Sequence, residues 1–286
     1  MKYHPKLSIA LPASLASDIP HLREKTFKIG LVGRAAAIFR IDEIVIFHDT
    51  PNSNQSHDSH LIASILSYIE TPQYLRKRLF GLRPELRYAG ILPPLRTPHH
   101  PICSRIRDLK IGEYREGVVI SQTDAGSYVD IGVKRSVLVS DVKLPTNNRV
   151  TVKLAELGRH LKGSLVRRDD VEPYWGYQTR VSAAGLRQLV KTGCFDLVVA
   201  TSRRGVPFMK VVDEMTEQWN NASRILIAFG SPTAGLHEIL RREGAKLSEV
   251  TDFVVNLVPG QGTETVRTVE AVLTCLAVLN ISVGTL

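Results

Sequence analysis

Between Asn256 and Leu279 the chain reads NLVPGQGTETVRTVEAVLTCLAVL. This is an apolar strand, a Pro/Gly-rich loop, and a helix expected over Glu264–Leu279 with a threonine at its start. Gly260 and Gly262 let backbone approach a ligand closely. From Pro259 to Thr263 the loop offers amides and carbonyls but no charged side chain, donors that suit a neutral adenine edge better than a triphosphate. The GK[ST] ending of a phosphate-binding loop is missing, as is the third glycine of a dinucleotide fingerprint. Spacing alone fits a plain strand–helix turn as well as a cofactor loop.

Two more segments share this form: ILIAFGSPTAGL (Ile225–Leu236) and FDLVVATSRRG (Phe195–Gly205). Polar, Gly-rich loops at the carboxyl ends of neighbouring strands mark where an open α/β sheet binds ligands. The elements that must position them alternate. Strands are expected at Ser8–Leu11, Glu43–Phe47, Leu197–Ala200, Ile225–Phe229 and Phe253–Leu257, and helices at Ile19–Phe39, His60–Glu70, Ser182–Lys191 and Gly235–Glu243. Near-continuous apolar strands between helices predict an α/β domain with a parallel sheet covered on both faces. Asp49–Ser59 is polar and turn-rich, and reads as a loop.

The middle of the chain differs. YREGVVI, GSYVDIGV, SVLVSDV and RVTVKL follow one another between Tyr114 and Leu154, with a further strand near Gly163–Arg168. Short strands at close spacing predict a small barrel of the OB type. The expected division is therefore an α/β domain of residues 1–88 and 174–286, with residues 89–173 inserted. On the approach to the barrel, Pro72–Lys110 carries nine basic against two acidic residues, with Tyr74, Phe80 and Tyr88 interleaved. Arg76, Lys77, Arg78, His99, His100, Arg105 and Arg107 are the candidate RNA contacts, because cations meet phosphates while aromatic rings stack on bases. A solvated connector anchored by its aromatics has the same composition.

In KTFKIGLVGRAAAIF, Phe27, Leu31, Arg34 and Ile38 lie four, three and four residues apart. That places Arg34 within the apolar stripe of a helix. A guanidinium on a core-facing line is costly unless it meets a partner or opens into a cleft, although an arginine can also snorkel out past its neighbours.

Taken together, these segments resemble the SPOUT class of RNA methyltransferases, over nearly the whole chain. The resemblance is to an archaeal and eukaryotic branch with an OB-like insert. It is carried by Asn256–Arg267, by YREGVVI with GSYVDIGV, by the His99–His100 pair and by YWGYQTRV (Tyr174–Val181). It implies a trefoil-knotted catalytic domain, S-adenosyl-L-methionine as cofactor, RNA and in particular ribosomal RNA as substrate, and a homodimer with its site built across two subunits. The positions that match the cofactor loops are Thr201, Ser202, Arg204, Gly230, Asn256, Leu257, Pro259, Gln261 and Thr265. Arg204 also fits an ordinary surface arginine, and Thr265 a plain helix start. GLVGRAAAIFRID further resembles a motif whose arginine, here Arg34, approaches the substrate. Arg34 and Arg267 are the cations expected to favour an anionic base. Lys28 stands where that motif usually has asparagine, and Ser231–Pro232 where a Glu-containing loop is usual. Both differences weigh against a ribose 2′-oxygen as acceptor.

Composition sets the remaining limits. The chain of 286 residues has 37 Lys and Arg against 28 Asp and Glu, a formal charge of +9 that favours a polyanionic partner. Cys103, Cys194 and Cys275 lie far apart with no ligand spacing, so neither a disulfide framework nor a metal is expected. LSIALPASLAS follows Lys2 and Lys6 but is broken by Ser8, Pro12 and Ser14. It reads as a strand rather than a secretion signal, and no apolar run reaches membrane-spanning length. The expected compartment is the cytoplasm. Two other readings fit the sequence: a non-catalytic RNA-binding factor that keeps this fold, and a nucleotide-binding enzyme, the latter disfavoured by its missing phosphate motifs.

Overall fold

The computed structural model describes residues 5–283. In chain order the elements are β1 (Lys6–Pro12), α1 (Leu22–Ile38), β2 (Glu43–Phe47), α2 (Ser56–Glu70) and α3 (Gln73–Leu79). Next come β3 (Tyr114–Thr123), β4 (Gly126–Asp130), β5 (Val137–Ser140), β6 (Arg149–Leu157) and β7 (Leu161–Val166). Then follow β8 (Gln178–Ser182), α4 (Leu186–Thr192), β9 (Leu197–Pro207), α5 (Val212–Asn221), β10 (Arg224–Ala228), α6 (Leu236–Arg242), β11 (Phe253–Asn256) and α7 (Thr268–Ser282). They form two compact units. One takes the chain up to Ile69, Pro84–Pro93, and Tyr177 onward; the other takes Glu70–Arg83 and Pro94–Gly176.

The first unit is built on a six-stranded sheet in the order β11-β9-β10-β1-β2-β8, with every pairing parallel. Its central strands are buried almost throughout, which is why they read as unbroken apolar runs rather than alternating ones. On one side Phe47, Leu186, Leu226, Ala228, Ile239 and Leu240 share a core.

Several elements differ from expectation. Residues 56–59 of the supposed loop are the first turn of α2, and Ser182, expected to start a helix, ends an edge strand, Gln178–Ser182, for which no strand was expected. Half-exposed residues along β8 gave it no apolar signature. Helix α5 also went unread; its apolar contribution to the core is essentially Met215 and Trp219.

Helix α1 corrects the reading of the arginine stripe. Phe27, Leu31 and Ile38 are not core-facing; they are 50%, 38% and 52% exposed. The buried face is instead made of Ile29, Gly30, Val32, Gly33 and Ala35–Ala37. A Cβ on Gly33 would lie 2.6 Å from the Tyr177 hydroxyl and within 3.2 Å of Leu66 and Ile69. Where Gly33 meets Tyr177 the helix packs too closely for a large side chain, and Phe27, Leu31 and Ile38 are on the outside.

The second unit is a closed five-stranded barrel in the order β3-β4-β5-β7-β6. All its pairings are antiparallel except β5 with β7. Val119, Val129, Ile131, Val137, Val152 and Leu161 fill its interior. Gly132 packs against the ring of Tyr74 on α3, and the Tyr74 hydroxyl donates to the Glu116 carbonyl at 2.8 Å.

Candidate functional site

The extension of β9 beyond Ala200 and the loops after β10 and β11 open onto one cleft of about 980 Å³. Its wall includes Thr201, Ser202, Arg204, Gly230, Asn256, Leu257, Gln261 and Thr265. Of the positions singled out for cofactor binding, the cleft wall lacks Pro259. Parallel strands bring these loops to the same sheet edge although they are far apart in sequence.

Their geometry is held by hydrogen bonds the sequence did not announce. The Thr201 hydroxyl donates to the Ala228 carbonyl at 3.0 Å, joining β9 to β10. The Asn256 side-chain amide donates to the Arg203 carbonyl at 3.0 Å, joining the end of β11 to β9. Thr268 donates from its hydroxyl to the Gly230 carbonyl at 3.0 Å, tying the start of α7 to the second loop. Arg203 reaches from its guanidinium to the Glu264 carbonyl, and Gln261 donates to Thr263 at 2.8 Å.

Gly205 is the residue the sequence reading passed over. A Cβ there would sit 2.5 Å from the Val255 carbonyl carbon and 2.7 Å from the Val254 oxygen. The β9–β11 register shifts between Val254 and Val255. The close backbone approach lets β9 stay paired with β11 beyond the break, Val206 with Val255 and Pro207 with Asn256.

The cleft is less neutral than its loops suggested. Helix α6 and the turn after it add His237, Glu238, Arg241 and Lys246 to its wall. Glu238 is paired with Arg241 at 2.5 Å and with Arg242 at 3.2 Å. The Arg241 hydrogen bond foremost lowers the Glu238 pKa, so this carboxylate holds charge rather than accepting protons.

Arg267 does not line the cleft. It is the N-cap of α7, its backbone N–H donating to Glu270 at 2.9 Å. The helix therefore begins at Thr268, not Glu264, and Thr265 lies in the loop before it. Arg34 is half-buried on α1, beside the exposed apolar residues, and is also absent from the cleft wall. Lys28 is buried and ion-paired with Asp18 at 2.7 Å.

In the barrel unit, Lys77 is exposed, and Arg78, Arg105 and Arg107 are exposed beside Asp130 or Asp108. Arg76 is half-buried, donating to the Thr71 carbonyl at 2.8 Å. The histidines behave otherwise. His99 is fully buried, and both imidazoles donate from Nε2 to the Glu70 carbonyl, at 2.9 and 2.6 Å. His99 is thereby withdrawn as an RNA contact. It belongs to a buried network in which Glu70 takes two bonds from Arg149, at 2.6 and 3.2 Å, and one from Arg168 at 2.7 Å. Arg149 also bonds Glu116, which accepts from Thr151 and Trp175. Burial opposes the Glu70 charge, but Arg149 and His99 outweigh it and hold the carboxylate well below its usual range. The basic composition of the stretch concealed that His99 is internal and that His100 is half-buried beside it.

Residues 6–279 match the family described as "Putative RNA methyltransferase". The chain belongs to this family. Among its methyltransferase relatives, a 28S rRNA (uridine-N(3))-methyltransferase of Homo sapiens is 33% identical over 96% of this chain and 77% of its own length. The Drosophila melanogaster protein of the same description is 34% identical over 96% of this chain, which spans only 61% of that protein. An uncharacterized protein of Haloarcula marismortui is 32% identical over 94% of this chain and 98% of its own. A Legionella pneumophila protein described as a "putative methyltransferase" and solved with bound SAM is a looser likeness: TM-score 0.39 and 10% identity, over 97% of this chain and 66% of that one. Among the described residues no group of His, Cys, Asp and Glu is arranged to hold a metal, and no helix is long and apolar enough to cross a membrane.

Proposed function

We propose that this chain methylates a base of ribosomal RNA, at N3 of a uridine, with S-adenosyl-L-methionine as methyl donor. The observation that carries this is the convergence of three segments on one cleft, in a chain whose rRNA (uridine-N3) methyltransferase relatives match it almost throughout. The volume is at the upper end for a small-molecule site. Its donor set fits the cofactor: backbone and neutral side chains at Asn256, Leu257, Gln261 and Thr265 for an adenine, and charged residues of both signs at Glu238, Arg241 and Lys246 for a zwitterionic amino-acid end. When bound, that cofactor supplies an already activated methyl group.

The residues then have only to orient the acceptor and favour loss of its N3 proton. Arg34 stabilises the resulting anion. It is not on the cleft of its own chain, so we assign it to the cleft of a second copy. Phe27, Leu31 and Ile38 on α1, with Leu273 and Ile281 on α7, form an exposed apolar surface on two helices that pack together. This supports a homodimer. Such a surface in water is unfavourable unless a partner covers it. The tie from Thr268 to Gly230 and the register break between β9 and β11 fit a chain end threaded as a trefoil knot. The strand order of the barrel, with β5 and β7 as its one parallel pair, fits the OB type and an RNA-binding role.

The test is calorimetry with S-adenosylmethionine, ATP and NAD, followed by methyl transfer to rRNA and mapping of the modified nucleotide. Binding of S-adenosylmethionine alone and a new N3-methyluridine are expected. RNA binding with no response to S-adenosylmethionine would make this chain a binding factor instead.

A further inference from the structure

A second cavity of about 480 Å³ lies in the α/β unit, away from the cofactor cleft. Its wall is His21, Leu22, Arg23 and Glu24, at the start of α1, with Pro84, Arg87 and Tyr88. The Arg87 guanidinium stands over the Tyr88 ring, 5.5 Å from its centroid. Arg23 and Arg87 are exposed, and among the described residues neither forms an ion pair. Tyr88 is half-buried, so its ring is held in place while its outer part faces the cavity.

We propose that this cavity binds one nucleotide of the RNA substrate, its base against Tyr88 and Arg87 and its phosphodiester between Arg23 and Arg87. The proposal rests on the RNA reading above but adds a contact that belongs to the catalytic unit rather than to the barrel. The chemistry selects within the polyanions. Two guanidinium groups and one carboxylate, Glu24, leave one net positive charge on the wall. That balances a single phosphodiester; a di- or triphosphate would be under-neutralised and would face Glu24. A carboxylate is instead a good acceptor for a ribose 2′-hydroxyl, the group that tells RNA from DNA. Stacking on an aromatic ring beside an arginine is tolerant of base identity, so the cavity sets the path of the strand rather than its sequence. Leu22 and Arg34 are twelve residues apart on α1, roughly 18 Å along a helix. A few nucleotides of single strand span that distance.

The experiment uses the full chain and a fluorescein-labelled single-stranded oligouridylate, followed by anisotropy at several salt concentrations. Thermal melting and S-adenosylmethionine calorimetry are run on the same preparations. Arg23→Ala/Arg87→Ala is expected to raise the Kd for RNA by about tenfold. It should also flatten the salt dependence by about 0.7, the slope for one phosphate of a single strand. Melting and cofactor affinity should not change. Tyr88→Leu should weaken binding by a similar factor, since stacking on one ring carries that much, and Tyr88→Phe should restore it. Wild-type affinity in the double arginine variant overturns the proposal, as does competition by free UMP as effective as by RNA. A wild-type chain that binds no RNA overturns the RNA reading itself. One that binds and methylates RNA, with variants equal to it, overturns only the cavity.

Discussion

Asn256 joins β9 to the loop after β11 through one side chain: its amide donates to the Arg203 carbonyl at 3.0 Å while its Oδ1 accepts the N–H of Val258 at 3.0 Å. Both bonds shape the cleft wall. Asn256→Ala removes both and should cost about 1–2 kcal/mol of stability, with a roughly tenfold loss of S-adenosylmethionine affinity. Asn256→Asp keeps the acceptor for Val258 but cannot donate to Arg203, so it should fall between. Calorimetry and thermal melting of the two variants give the ranking, and equal affinity in all three proteins would show that this bridge does not shape the site.

Gly205 tests whether the close approach of β9 and β11 is needed. Gly205→Ala places a methyl group against the Val254–Val255 backbone, which cannot yield as a flexible side chain would. The expected cost is about 1–3 kcal/mol, the range for overpacking, with cofactor binding weakened in step. A melting temperature equal to wild type would mean that the two strands move apart without consequence.

Arg34 tests whether α1 has a catalytic role. Arg34→Met should fold and bind S-adenosylmethionine, because the residue lies outside its own cleft, yet lose methyl transfer by about 100-fold, the scale of removing one charge-stabilising donor. Lysine should not rescue it, lacking the planar fork of a guanidinium. Mixing Arg34→Met with Asn256→Ala subunits should recover part of the activity if each site draws Arg34 from its partner. Failure of the mixture while both proteins are dimeric would place Arg34 in its own chain's site.

The histidine pair at Glu70 predicts a pH dependence. Desolvation, and then the neighbouring His99, push the His100 pKa down from 6.5 to about 4. The unfolded chain therefore binds a proton in this window that the folded chain does not. The His100 contribution is complete above pH 6.5 and is lost as pH falls from 6.5 toward 4. Glu70, also held low in the fold, adds a loss of the same sign at more acid pH, below about 4.5. Melting temperature followed between pH 7 and pH 4 should drop by several degrees more in wild type than in His100→Gln. Parallel curves for the two proteins would remove His100 as the source.

The small and polar residues at the strand ends and the parallel sheet were legible in the chain because both are local. A strand buried on both faces must be apolar along its length, and a loop that approaches a ligand must be small or polar. Strand β8 and helix α5 were not, since few of their residues meet the core and little of their pattern is apolar. The histidine pair and the stripe of α1 show the limit from the other side. Periodicity told which residues of α1 share a face, but not which face is inward. That was decided by how closely the helix packs at Gly33 and Tyr177, where only small side chains fit. The basic stretch likewise put His99 among the candidate RNA contacts, while Glu70, brought beside it from another part of the chain, made it an interior partner. Sequence by itself determined the elements and the chemistry of their ends. Which side chains meet was decided by long-range packing, because burial and charge pairing depend on neighbours the local pattern does not contain.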